Sequence, residues 1–198
     1  MMIHSIVWKK SRIEKQTLNS DTIEFLRLMG YSSKSHWSKY HGGNPVNDSL
    51  LGLKYILAES GQLSGEADAV QTMMKNYYDF VLAEGDFSAY YNKYALSIAY
   101  GVDEKIKNLV IDEKTYIDPH SRLNAIITAM LGEEAVNVFT PLPVETISMS
   151  NLTQSSIAGH IMYSPIDSSS ASTVVYKFNT IQDGEIFFYV PSEYQREV

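Results

Sequence analysis

Histidines and carboxylates are the residues in this chain of 198 residues whose types could carry chemistry. None of the five histidines stands in a His-Glu-x-x-His or comparable spacing, which would place two imidazoles on one side of a metal ion. His36 and His41, with Asp48 downstream, could in principle approach a metal, but two polar loop histidines are the simpler interpretation. We therefore expect no metal and no cofactor.

Acidic pairs are frequent, and each is most simply a solvated pair in a turn or at a helix end: Asp103-Glu104, Asp112-Glu113 and Glu133-Glu134. Glycoside hydrolysis needs two carboxylates roughly 5–10 Å apart across a cleft, which sequence spacing cannot reveal. The sequence has no Gly-x-Ser-x-Gly nucleophile elbow and no Gly-x-x-x-x-Gly-Lys phosphate loop. We expect no catalytic residue in this chain.

The aromatic residues offer a different kind of candidate site. Trp37, Tyr40 and His41 share one polar segment, and sugar-binding surfaces often present flat rings beside hydrogen-bonding groups. The alternative is that Trp37 anchors this segment by burying its large ring, and the sequence favours that alternative. These three residues are the candidate binding residues.

Composition excludes several classes of protein. A net charge of −7 argues against nucleic-acid binding, which relies on basic side chains at the phosphates. The chain has no cysteine, so it has no disulfide and no thiolate chemistry. No apolar run approaches the roughly twenty residues that cross a bilayer. Residues 1–10 carry their charges after a very short apolar stretch, the reverse of a signal peptide.

Local patterns predict helices and strands in the first two-thirds of the chain. We predict a helix at 21–29 with a capping box at Asp21 and Glu24 and a left-handed Gly30. Further predictions are listed in chain order: a loop at 31–48, a strand at 53–58, a short helix at 66–75, a hairpin at 79–91 with its turn at 84–86, and a strand at 95–100.

The strongest helix signal lies between Asp118 and Gly132. Asp118 is a natural N-cap, Pro119 suits the first helical position, and Gly132 suits the position after the end. Apolar residues recur at helical spacing at Leu123, Ile126, Ile127 and Met130. We also expect His120 to be a surface residue in the first turn.

After residue 140 the composition changes to Ser, Thr and β-branched residues in short runs. Turn signals separate these runs, and the last ones are predicted at 158–163, 173–178 and 185–190. The predicted fold is therefore α+β: a mixed helix and strand region over 1–140, followed by β-sandwich or jelly-roll-like strands over 141–198 that pack on it.

Four segments together resemble the extracytoplasmic part of the bacterial YfhO family of multi-spanning membrane proteins. They are the helix and turn that end at Tyr31, the segments 45–56 and 92–100, and the helix that follows Asp118. The segment 184–192 also resembles a strand of that region. The resemblance covers about residues 20–198. It implies a piece of a longer polypeptide at the extracellular face of the cell membrane, with the transmembrane part of that polypeptide as its partner.

Members of that family look like lipid-linked-sugar glycosyltransferases, some of them decorating teichoic acids at the Gram-positive surface. In that class the catalytic acidic residue looks like one that lies in an early extracytoplasmic loop near the membrane. No position of this chain matches that residue. The resemblance thus implies a non-catalytic domain that supports the membrane part or binds the cell-surface glycopolymer acceptor. The alternatives are a free-standing carbohydrate-binding module and a soluble hydrolase with carboxylates that sequence cannot pair.

Overall fold

A computed structural model describes residues 5–7, 19–34, 37–39, 44–59, 74–157, 160–180 and 183–189. The chain forms two compact units, one of Met1–Val136 with Phe188–Val198 and one of Asn137–Phe187. The first unit mixes helices and strands, which confirms the α+β class. The division into a domain of residues 1–140 and a domain of residues 141–198 remains a prediction.

The first helix, α1 (Ser20–Leu28), lies close to its predicted position. Its N-cap is Asn19, whose side-chain oxygen accepts from the Asp21 amide at 3.0 Å, so the predicted capping box at Asp21 is wrong. An earlier residue supplies the acceptor, and Asp21 is left in the first turn, where its charge still favours the helix dipole. Gly30 has a φ of 94°, as predicted.

The segment predicted as loop over 31–48 contains regular structure. Strands β2 (Ser32–Lys34) and β3 (Trp37–Lys39) pair antiparallel, and helix α2 (Pro45–Leu50) follows them. Strand β1 (Ser5–Val7) lies earlier in the chain. The loop prediction is therefore wrong here, because strands of three residues carry no readable alternation and a six-residue helix spans less than two turns.

A four-stranded sheet organises the first unit, in the order β1-β4-β6-β5. Its remaining strands are β4 (Tyr55–Glu59), β5 (Asp79–Glu84) and β6 (Phe87–Tyr91). The predicted hairpin is confirmed, with Gly85 at a φ of 57° in its turn. Residues 74–77 are helical, whereas 66–73 of the helix predicted at 66–75 lie outside the described residues.

The core of this unit lies against one face of the sheet. Ile56 and Tyr90 are paired across β4 and β6, and they pack with Met74 and Tyr78 from the segment that enters β5. Burying these large side chains is the main stabilising contribution available to so small a sheet.

The longest described helix, α3 (Pro119–Leu131), confirms the strongest sequence prediction. The Asp118 side chain accepts from the Ser121 amide at 2.9 Å, and Gly132 is left-handed at a φ of 70°. Leu123 and Ile126 are buried, while Ile127 and Met130 of the predicted stripe are half-buried. A 3-10 helix, Glu104–Asn108, packs against α3.

Two strand predictions are wrong. Residues 95–100, predicted as a strand, form an irregular and largely exposed segment. Residues 185–189, the described part of the predicted strand 185–190, are likewise irregular. An apolar run shows that a segment prefers burial or contact, but it does not supply a neighbouring strand with free hydrogen-bonding groups.

The described residues of the second unit form four strands: β7 (Val144–Ser150), β8 (Leu152–Ile157), β9 (His160–Pro165) and β10 (Thr173–Phe178). They form two antiparallel ladders, β7 with β10 and β8 with β9. Within the described part of residues 137–187 these ladders do not form a β-sandwich or jelly roll. The finer prediction of a sandwich-like fold is therefore not supported there.

Candidate functional site

The candidate site begins at the start of α2. The Asn44 side chain accepts from the Val46 and Asn47 amides at 3.0 Å each, and Pro45 occupies the first turn. An extended Asn cap followed by proline fixes the direction in which the helix starts. This start turns Asn47 and Asp48 inward, where both are fully buried.

Asp48 is paired with a tyrosine from the segment that leads into β5. The Tyr78 hydroxyl donates to Asp48 Oδ2 at 2.5 Å, and both groups are buried. Burial raises the pKa of the Tyr78 phenol well above its usual range, and the negative charge of Asp48 raises it further. Tyr31 is also buried, and its pKa is raised by burial and then by Asp48. Both phenols therefore keep their protons at neutral pH.

Two further side chains tie the end of α1 to this region. Asn47 donates through Nδ2 to the Met29 carbonyl at 3.0 Å. Arg122 of α3 is 1% exposed and donates through Nη1 to the Leu28 carbonyl at 2.7 Å. A guanidinium at the last turn of a helix satisfies free carbonyls and complements the negative end of the helix dipole.

Arg122 also binds the chain that leads into its own helix. Its Nε donates to the Tyr116 carbonyl at 3.0 Å and its Nη2 to the Ile117 carbonyl at 3.2 Å. The rigid fork of the guanidinium allows one side chain to hold separate main-chain segments. We call Asn47, Asp48, Tyr78 and Arg122 the polar junction.

His120 lies in the first turn of α3, two residues before Arg122. Its position is as predicted, but its side chain is only 21% exposed instead of lying on the surface. Burial lowers its pKa, and the Asp118 carboxylate 3.7 Å away opposes that shift. His120 is therefore mainly neutral at pH 7.

The predicted binding residues occupy a different part of the chain. Trp37 begins β3, paired with Lys34 of β2, and its side chain lies outside what the structure describes. Tyr40 and His41 also lie outside the described residues, as does His36 of the considered metal site. Their role in binding thus remains a prediction.

The polar junction was missed by sequence reasoning. Asp48 was considered only as a distant partner of loop histidines, whereas it lies in a helix and is bonded to Tyr78. Asn44 followed by Pro45 was the signal that could have placed this helix. Within the described residues no group of three or more His, Asp or Glu side chains is arranged to hold a metal ion.

The chemistry available at the polar junction is limited. A carboxylate that already accepts from a phenol and an arginine that already donates to three carbonyls are occupied by the fold. General acid–base catalysis needs a proton donor or acceptor within reach of substrate, and these groups are buried. The junction is suited to fixing three helices relative to the sheet.

Comparison with known proteins places the chain in a family. No helix among the described residues is long and apolar enough to cross a membrane. No curated protein and no solved structure matches the chain. The family of the bacterial membrane protein YfhO matches residues 16–197, nearly the whole sequence. The chain therefore belongs to the YfhO family of bacterial membrane proteins.

Proposed function

We propose that this chain is an extracellular domain of a multi-spanning membrane protein that resembles lipid-linked-sugar glycosyltransferases. In this proposal the domain does no chemistry. It supports the transmembrane part of the same polypeptide, or it holds the cell-surface glycopolymer acceptor, such as a teichoic acid. The observation that carries the proposal is the family match over residues 16–197 in a chain whose described helices do not span a membrane.

The described buried charges support the non-catalytic part of the proposal. Asp48 and Arg122 are the fully buried charged residues among those the structure describes in the first unit, and each is bonded to groups of the fold itself. A catalytic carboxylate is expected to face a cleft and a substrate. Asp48 instead connects α2 to the segment that enters β5, and Arg122 connects α3 to the end of α1, as a rigid support requires.

Topology labelling in cells tests the proposed location. The chain has no cysteine, so a single cysteine can be introduced at an exposed position in each unit, as Glu84→Cys and Ser168→Cys, in a full-length membrane protein from which any cysteines outside this chain are removed. We expect a membrane-impermeant maleimide to label both in intact cells. Labelling only after permeabilisation would place the domain on the cytoplasmic side and contradict the proposal.

Ligand titration tests the acceptor-binding form of the proposal. Purified teichoic-acid fragments and neutral glycans are added to the chain while tryptophan fluorescence and amide NMR shifts are followed. Trp8→Phe leaves Trp37 as the single reporter, and Trp37→Phe is its matched control. Saturable changes that need Trp37 support acceptor binding at Trp37, Tyr40 and His41. No change at about millimolar ligand leaves support of the membrane part as the function.

A further inference from the structure

Strand β5 lies at one edge of the four-stranded sheet and, among the residues that the structure describes, pairs only with β6. All six of its residues are exposed, and three large apolar side chains follow one another: Phe80 is 61% exposed, Val81 48% and Leu82 51%. An edge strand of this kind presents main-chain groups and apolar side chains on which another extended segment can pair.

The hairpin that contains this edge is acidic. Residues 76–92 carry the carboxylates of Asp79, Glu84 and Asp86 and no Lys, Arg or His. The Lys93 ammonium lies 3.5 Å from Asp79, but both side chains are exposed, so this surface pair is weak and an incoming cation can replace it. Glu84 makes no ion pair within the described part of the chain. The edge therefore favours a cationic neighbour.

A β-bulge places two of these carboxylates on one face of the sheet. Asp79 lies opposite Tyr91 of β6, and Glu84 lies opposite Phe87. Tyr91 and Phe87 are four residues apart on a regular strand, so their side chains point to the same face. Val81 is the extra residue of β5, without a partner in β6, and it brings Asp79 and Glu84 onto that face.

Leu82 lies between the two carboxylates on the same face, because it pairs with Ala89 of β6. Four residue steps of about 3.3 Å separate the positions of Asp79 and Glu84, which therefore stand roughly 13 Å apart along the sheet. In an extended segment beside β5, the residues that face them are also four apart, with one residue facing Leu82 between them. This spacing fits a basic, an apolar and a basic residue at alternate positions.

A second copy of this chain does not fit the edge. Antiparallel pairing of two β5 strands in register would set Asp79 against Glu84, and parallel pairing would set each acid against itself. Like charges directly opposite each other destabilise a strand pair. No two Lys or Arg residues of the sequence are four positions apart, so no strand of a second copy offers the matching charges. The acids thus disfavour self-association and select a different segment.

We propose that the β5 edge binds an extended polypeptide segment from outside this chain, with basic residues at positions i and i+4 and an apolar residue at i+2. The basic side chains pair with Asp79 and Glu84, and the apolar one packs on Leu82. Main-chain hydrogen bonds supply affinity, and the charges supply the choice of partner. The proposal goes beyond a supporting or glycan-binding role and does not depend on the extracellular location.

Peptide titration of the whole chain tests the proposal. The probe is the peptide Thr-Ser-Lys-Thr-Val-Thr-Lys-Ser-Thr, and the amide NMR shifts of the isotope-labelled chain are followed. One control peptide has Glu in place of both Lys residues. The other, Thr-Ser-Lys-Lys-Val-Thr-Thr-Ser-Thr, keeps the charge and loses the spacing. We expect the largest shifts at residues 80–84 with the probe, weaker binding of both controls, and weaker binding of the probe in high salt.

Two pairs of variants locate the contacts. Glu84→Gln should weaken binding about 2- to 5-fold, as the loss of one exposed ion pair does, whereas Glu133→Gln, at an exposed position outside the hairpin, should not. Leu82→Thr removes the apolar contact and keeps a strand-forming residue, so it should also weaken binding. Ile166→Thr is its matched exposed control.

Three results would overturn the proposal. They are equal binding of the acidic peptide, shifts that lie away from β5, and no shifts with any peptide. Shifts at residues 80–84 that grow with protein concentration in the absence of peptide would identify a second copy as the partner and would also overturn it.

Discussion

The Tyr78 hydroxyl donates to Asp48 Oδ2 at 2.5 Å across thirty residues of sequence, inside the first unit. This bond joins helix α2 to the segment that enters the sheet at β5. Asp48 and Tyr78 are both buried, so neither can exchange its partner for water. Hydrogen bonds of this charge-assisted kind contribute more to stability than neutral ones.

We predict that Tyr78→Phe lowers the free energy of unfolding by about 1.5–3 kcal/mol, because it leaves the Asp48 carboxylate buried without its donor. Urea unfolding followed by circular dichroism measures the change. Tyr94→Phe is the control, since Tyr94 is exposed, and we expect a change near zero. A double-mutant cycle with Asp48→Asn should show coupling, and additive losses would mean that the bond does not stabilise the fold.

Stability should fall in alkaline solution because Tyr31 and Tyr78 have raised pKa values. A raised folded-state pKa gives a contribution that is complete below the unfolded pKa of about 10 and is lost as the pH rises above it. We expect each tyrosine to add a slope of about 1.4 kcal/mol per pH unit above pH 10. Urea unfolding between pH 8 and 11 should show a shallower decline for Tyr78→Phe, and parallel curves would contradict this account.

Replacing Arg122 should reduce the stability of the fold much more than replacing Arg27. Arg122→Met should destabilise the chain by about 2 kcal/mol, because Arg122 itself is buried and the carbonyls of Leu28, Tyr116 and Ile117 lose their donor. Arg27 is exposed and pairs with Glu24 and Glu113 on the surface. Arg27→Met should cost about 0–1 kcal/mol. Thermal unfolding of both variants compares them, and equal losses would be inconsistent with the polar junction.

Alanine substitutions at Gly132 and Gly85 distinguish the stability cost of steric crowding from that of backbone strain. Both have positive φ, but a Cβ at Gly132 would lie 2.6 Å from Asp103 Oδ2, whereas one at Gly85 would meet nothing within 4 Å. We expect Gly85→Ala to cost about 1 kcal/mol and Gly132→Ala roughly 2–4 kcal/mol. Chemical denaturation distinguishes the two. A loss at Gly132 no larger than at Gly85 would show that Asp103 moves aside freely.

Sequence patterns predicted the elements that carry their own boundaries. Helix α3 is bounded by Asp118, Pro119 and Gly132, and the β5–β6 hairpin turns at Gly85, so local chemistry was sufficient. Helix α2 had similar signals in Asn44 and Pro45, but they also suit a turn. The family resemblance is confirmed by the match over residues 16–197.

Long-range pairing was beyond the reach of sequence patterns. Nothing local identifies Tyr78 as the partner of Asp48 or Leu28 as the partner of Arg122, because each pair depends on how separate elements pack. Residues 95–100 were misread for a related reason. Their apolar run is typical of a strand, whereas the fold holds most of these residues at the surface.

The bond from Arg122 to the Leu28 carbonyl spans 94 residues of sequence, and this distance has a consequence for the order of synthesis. At cellular elongation rates, roughly 5–20 s separate the appearance of α1 from that of its partner arginine. During that interval the end of α1 has no guanidinium to accept from, and its carbonyls can bond only to water or to another chain. The last turn of α1 therefore reaches its native hydrogen bonding only after α3 has been synthesised.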